Sequence, residues 1–108
     1  MSLSTHVLDA TSGSPAVGVE VRVESCVEGT WQPLGAGVTD ADGRIGELAT
    51  PGVGVHRITF DTAAYFERAG VRGFYPEVSV TFEVVDGNAH HHVPLLLSPF
   101  AYSTYRGS

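Results

Sequence analysis

Valine and charge alternate without a break in Val19-Glu20-Val21-Arg22-Val23-Glu24, so the valines share one face and the charges the other. A period of two predicts a half-exposed antiparallel strand. Val78, Val80, Phe82 and Val84 repeat the pattern against Ser79, Thr81 and Glu83, and Val55-His56-Arg57-Ile58-Thr59-Phe60 is a short β-favouring run. Turn signals separate these runs: Thr11-Ser12-Gly13-Ser14-Pro15, Glu28-Gly29, Asp40-Ala41-Asp42-Gly43, Pro51-Gly52-Val53-Gly54 and Asp86-Gly87-Asn88. Short strands at such spacing predict an all-β sandwich. Residues 61–70 read differently, with Asp61 or Thr62 as a cap, an alanine-rich middle and a closing Gly70. They predict one short helix of about two turns. No repeat or linker interrupts the pattern, so residues 1–108 are expected to form a single domain.

Composition changes this picture in one respect. At 43% hydrophobic and 17% charged, the 108 residues hold more apolar side chains than one core of this size needs, which points to subunit contacts. The net charge is −6, and all six basic residues are arginines with no basic run, which argues against a phosphate-tracking surface and a nucleic-acid partner. The single cysteine, Cys26, forbids an intrachain disulfide and lies in phase with Glu20, Arg22 and Glu24. No signal segment is evident, and no apolar run approaches the roughly 20 residues of a membrane helix. A cytoplasmic protein without membrane partners is the expectation.

The candidate chemistry lies in the histidines, and their phase says more than their number. In Leu3-Ser4-Thr5-His6-Val7-Leu8, Leu3 and Val7 share a face with Thr5, which places His6 with Ser4 and Leu8 on the other. In His90-His91-His92-Val93-Pro94-Leu95-Leu96-Leu97, the core face of Val93, Leu95 and Leu97 takes His91, so His90 and His92 point away with Pro94 and Leu96. Imidazoles mixed with apolar residues on an outer face suggest a cleft covered by another subunit. Three readings stand open: solvated polar sequence, a three-histidine zinc site of His6, His90 and His92, or metal-free acid/base catalysis by imidazoles that titrate near neutrality.

Asp40-Ala41-Asp42-Gly43-Arg44 is not a calcium loop, which would need Asp or Asn at position 44 and glycine at 45; a tight hairpin turn accounts for it better. Arg44 is then either a solvated strand-end charge or a guanidinium aimed at an anionic or carbonyl-rich ligand. No nucleophile elbow or Cys–His motif suggests a covalent intermediate.

Thr5-His6-Val7-Leu8-Asp9, Thr39-Asp40-Ala41-Asp42-Gly43-Arg44, Phe74-Tyr75-Pro76-Glu77 and His92-Val93-Pro94-Leu95-Leu96-Leu97-Ser98-Pro99, leading into Tyr102-Ser103-Thr104-Tyr105-Arg106-Gly107-Ser108, resemble the transthyretin-like 5-hydroxyisourate hydrolases from end to end. The terminal Tyr-Arg-Gly-Ser is a mark of the enzyme branch as against the hormone-carrying transthyretins. The resemblance implies an eight-stranded transthyretin-like β-sandwich with one short helix, assembled as a homotetramer with active sites between dimers. It matches the family's catalytic positions to His6, Arg44 and His92, with His90 lining the same cleft. His91, commonly an aromatic residue in the family, is a departure.

The implied reaction is hydrolysis of 5-hydroxyisourate to 2-oxo-4-hydroxy-4-carboxy-5-ureidoimidazoline in urate degradation, with no cofactor and no resident metal. His6 and His92 suit water activation and proton transfer, and Arg44 suits stabilisation of the carbonyl oxygen as it gains charge. The closing residues are expected to wall the site: Tyr105 as a rigid amphipathic side, Arg106 as a tie, Gly107 for close approach and Ser108 through its hydroxyl and terminal carboxylate. Two other functions fit the same residues, a ligand carrier using the interface channel and a three-histidine zinc hydrolase.

Overall fold

A computed structural model describes residues 2–108. In chain order the elements are β1 (Leu3–Asp9), a two-residue β2 (Ser14–Pro15), β3 (Glu20–Val27), β4 (Thr30–Val38), β5 (Arg44–Ala49) and β6 (Gly54–Phe60). The helix α1 (Thr62–Arg68), β7 (Val78–Val84), β8 (His91–Ser98) and β9 (Ala101–Thr104) complete the described residues. Apart from the short β2 bridge, these are the eight strands and one helix that the family resemblance implies. They form two sheets, β2-β1-β8-β9 with β5 also on β1, and β4-β3-β6-β7. β1 and β8 run parallel, and β5 and β2 divide the other edge of β1 between them, β5 against its first half and β2 against its last two residues.

The alternating runs behave as their period dictates. Val21 and Val23 of β3 are buried while Glu20 and Arg22, which alternate with them, are exposed. They meet Leu3, Val7, Leu95 and Leu97 from the first sheet and Ile58, Phe60 and Val78 of their own in one contiguous core. Burial of aliphatic and aromatic side chains on facing strands is the main force holding the two sheets together. α1 follows β6 directly. Asp61 is its cap, its carboxylate accepting the Ala64 N–H at 3.3 Å, and Phe66 is buried in the core. The Tyr65 hydroxyl donates to Asp9 Oδ2 at 2.7 Å, so the helix is tied to the end of β1. Burial and that neighbouring carboxylate push the tyrosine up to about 12.

β4 is the strand whose sequence, Thr-Trp-Gln-Pro-Leu-Gly-Ala-Gly-Val, lacks a clear alternation. It is an edge strand joined to β3 by a two-residue turn in which Glu28 (φ 50°) and Gly29 (φ 77°) both take the left-handed conformation. Two such residues give the turn the twist that antiparallel strands need. Pro33 sits where the β3–β4 register shifts, a place where a missing N–H does least harm.

Candidate functional site

The site is built by pairing on both edges of β1. Along one edge, parallel pairing sets Ser4 beside His92 and His6 beside Pro94; along the other, antiparallel pairing sets Arg44 of β5 beside His6. Paired residues project to the same side of a sheet, so Ser4, His6, Arg44 and His92 share its outer face. The inner face takes Leu3, Thr5, Val7, Val93, Leu95 and Leu97, all buried. His91 belongs to that inner set: it is buried, and its Nδ1–H donates to the Ala89 carbonyl at 3.1 Å. The strand begins at His91, so His90 stands just outside it rather than within it.

Arg44 enters the site from a turn that holds its backbone. Asp40 Oδ1 accepts the N–H groups of Asp42 at 2.9 Å and Arg44 at 3.0 Å, and the Asp40 N–H donates back to the Arg44 carbonyl at 3.0 Å. The N–H bonds from Arg44 and then Asp42 hold the Asp40 carboxyl below its usual range, with the Arg44 and His6 charges adding to the effect. The Arg44 side chain is exposed, and among the described residues its guanidinium has no ion-pair partner.

His92 is held from two sides. Its Nδ1 lies 2.7 Å from Ser4 Oγ, and the same hydroxyl lies 2.9 Å from His90 Nε2, while His90 Nδ1 lies 2.8 Å from Ser2 Oγ. The Gly107 N–H donates to the His92 carbonyl at 2.8 Å, which brings the tail across the strand. A Cβ at position 107 would overlap the His92 ring at Cδ2, so only glycine allows this approach. Burial first, and then the charges of Arg44, His6 and His90, lower the His92 pKa from its ordinary 6.5. A neutral imidazole is therefore the prevailing form near neutral pH.

All the sequence-predicted residues thus fall in one neighbourhood, with different attachments. His6, Arg44 and His92 lie on paired positions, and His90 joins them through Ser4. Tyr105 and Ser108 lie on either side of the Arg106–Gly107 pair; both are exposed, and neither side chain makes a hydrogen bond among the described residues. No three His, Cys, Asp or Glu side chains gather as a metal-holding group among the described residues, so His6, His90 and His92 are not arranged as the zinc reading requires. Sequence reasoning passed over Ser4, Ser2 and Asp40 as parts of the site. Ser4 carried a usable signal, its phase with His6, whereas Ser2 and Asp40 are recognised only by the bonds they make.

The chain matches the model of the HIUase/Transthyretin family over residues 3–107. It is 48% identical to the 5-hydroxyisourate hydrolase of Salmonella dublin over 111 aligned positions, which span 98% of this chain and 80% of that protein. The 5-hydroxyisourate hydrolase of Klebsiella pneumoniae superposes with a TM-score of 0.88 at 38% identity, covering 100% of both chains. Sea bream transthyretin in complex with thyroxine superposes with a TM-score of 0.93, also at 38% identity, covering 99% of this chain and 95% of that one. The backbone alone therefore does not separate the hydrolase from the thyroxine-bound transthyretin; the side chains on the sheet face have to.

Proposed function

The chain belongs to the HIUase/Transthyretin family, and from that membership we propose that it hydrolyses 5-hydroxyisourate to 2-oxo-4-hydroxy-4-carboxy-5-ureidoimidazoline. The observation that carries this reading is the convergence of His6, Arg44 and His92 on one sheet face through two strand pairings of β1. A carrier's channel needs shape and apolar contact, whereas two imidazoles beside an unpaired guanidinium suit hydrolysis.

In this mechanism an imidazole removes a proton from water, and the water oxygen bonds to the ring amide carbonyl carbon. His92 fits the base role because its lowered pKa keeps it neutral. The carbonyl oxygen gains negative charge, which the Arg44 guanidinium stabilises in a site shielded from bulk solvent. The C–N bond then breaks, its electron pair passes to nitrogen, and that nitrogen takes a proton from His6 or from the imidazolium. The freed nitrogen belongs to a ureido group and stays uncharged, while the new carboxylic acid ionises. Each turnover therefore releases one proton.

Tyr105 and Ser108 wall the substrate's approach beside Gly107, and His90 offers its ring face from the side. No cofactor enters the scheme. The chain acts as one domain over residues 1–108 and assembles as a homotetramer in the cytoplasm, a second copy covering the histidine face. Support for the cover comes from the exposed Val17, Phe100 and Tyr105, and from Arg44 lying open on a single chain. Freshly generated 5-hydroxyisourate tests the assignment: its ultraviolet absorbance is expected to decay much faster with the protein than without it. A protein that binds the compound without accelerating its decay is a carrier, and the hydrolase assignment falls.

A further inference from the structure

The bonds around Ser4 impose a constraint on His92. Ser4 Oγ has one hydrogen, yet it lies at hydrogen-bonding distance from two imidazole nitrogens, His92 Nδ1 at 2.7 Å and His90 Nε2 at 2.9 Å. It can donate to only one of them, so the other ring must donate its N–H to Ser4. His90 faces the same limit, because Ser2 Oγ occupies its Nδ1 at 2.8 Å and a neutral imidazole has one N–H and one bare nitrogen. With both rings neutral and every contact satisfied, two arrangements remain. In the first, His92 Nδ1–H donates to Ser4, Ser4 to His90 Nε2, and His90 Nδ1–H to Ser2. In the second, every donor and acceptor is reversed, so that Ser2 donates to His90, His90 to Ser4 and Ser4 to His92 Nδ1.

The two arrangements differ at the one nitrogen of His92 that makes no hydrogen bond among the described residues, Nε2. In the first it is bare and basic; in the second it carries a proton. We propose that Ser4 and His90 are positioning residues that form a proton relay from His92 to solvent at Ser2, a role that rests on His92 activating water in the reaction above. Starting from the first arrangement, Nε2 takes the proton of the attacking water. The resulting imidazolium passes its Nδ1 proton to Ser4 Oγ, whose own proton moves to His90 Nε2. The His90 Nδ1 proton leaves through Ser2. One proton enters at Nε2 and one leaves at Ser2, which matches the single proton that hydrolysis must discharge, and the chain is left in the second arrangement. The first returns when His90 takes a proton back at Nδ1 through Ser2, its Nε2 proton passes to Ser4 as the Ser4 proton passes to His92 Nδ1, and His92 Nε2 releases its own.

Geometry favours a relay over a simple prop. Ser4 is 8% exposed, so water cannot readily replace its hydroxyl, whereas His90 is exposed and Ser2 half-buried, so the far end of the chain of bonds meets solvent. The charges facing His92 are Arg44 and His6 from the β5 and β1 side and His90 along the relay, and all three disfavour a standing imidazolium. A proton accepted by His92 is therefore driven onward. His90 has both ring nitrogens engaged, which explains why a histidine suits a position that offers no free nitrogen to a substrate.

The test uses the full-length protein and its Ser4→Ala, Ser4→Thr and His90→Phe variants, with turnover of 5-hydroxyisourate and ¹⁵N–¹H correlation of the histidine side chains as readouts. Ser4→Ala and His90→Phe are expected to lower kcat on the order of ten- to a hundredfold with KM little changed, the usual effect of losing a partner that orients an imidazole. Added imidazole buffer should restore kcat in both variants without affecting the wild type, and Ser4→Thr should retain activity because it keeps the hydroxyl. The His92 nitrogen shifts should report an altered tautomer balance in Ser4→Ala. Unchanged kcat, or a loss that imidazole does not rescue while the His92 shifts stay at wild-type values, overturns the relay. A wild-type protein with no turnover would instead remove the hydrolase assignment, and the tautomer comparison would then decide the hydrogen-bonded chain by itself.

Discussion

The two sheets present outer faces of opposite electrostatic character. On the second sheet both arginines are matched: Arg57 donates through Nε at 3.0 Å and through a terminal nitrogen at 2.8 Å to Glu24, with its guanidinium 4.2 Å from the Trp31 ring, and Arg22 lies 3.7 Å from Glu77. On the first sheet, Arg44, His6 and His92 stand together without a carboxylate partner, because the nearby Asp40 spends its Oδ1 on backbone N–H groups. Matched charges satisfy one another and leave nothing for a ligand. A guanidinium without an ion pair, held on a fixed frame beside the imidazoles, offers a preorganised field to a developing negative charge. One fold therefore keeps a face for solvation and a face for chemistry, and what separates them is the pairing of charges more than the number of them.

The largest effects should come from the unmatched face. His6→Ala, Arg44→Ala and His92→Ala are each expected to lower turnover by about a hundredfold or more, the range of single acid/base and charge-stabilising groups, with circular dichroism unchanged. Arg57→Ala is the matched control and should leave turnover within about twofold, since an ordinary surface substitution disturbs little beyond its own contacts. An Arg57→Ala variant as impaired as Arg44→Ala would break the contrast between the faces.

Deleting residues 105–108 tests how far the first face depends on its tail. The Gly107 contact with His92 would be lost while the core strands remain, so turnover should fall by roughly a hundredfold at nearly constant melting temperature, as expected when a reacting group is displaced. A truncated protein as active as the intact one would remove Tyr105 and Ser108 from the site.

The pH dependence sharpens the comparison further. Because the His92 pKa lies below 6.5, the neutral base persists as pH falls past 6.5, and activity should decline only as pH drops through that lower value. Arg44→Gln removes a repelling charge, so an NMR titration of His92 should show its pKa move upward toward 6.5. A downward move would contradict the unmatched-charge account. The smallest effects belong to stability. Breaking the Arg57–Glu24 pair should cost about 1 kcal/mol in chemical denaturation, and His91→Ala should act through lost packing, with turnover close to normal. An inactive His91→Ala protein would mean that the face assignment is shifted by one residue.

Much of this molecule was legible in its residues. Valine–charge alternation specified β3 and β7, an Asp cap and a glycine bounded the helix, and strand phase separated the buried His91 from the outward His6 and His92. These are local properties, since side-chain direction follows from a period of two wherever a strand forms. β4 was illegible because its residues obey an edge position and a bulge more than an alternation.

What only tertiary structure decided is which outward residues meet. Ser4 and His92 are 88 positions apart, and their contact exists because β1 and β8 pair in parallel at one register. Had that register slipped by two residues, every side chain would keep its face and the core its pattern, yet Ser4 would lie beside His90 or Pro94. The choice among such registers comes from how the two sheets interdigitate and from the lengths of the connections between distant strands, and no single strand contains that information. The same holds for the tail. The residues predict a glycine near the end of the last strand, but the overlap of a Cβ with the His92 ring arises only once β9 has folded back along β8.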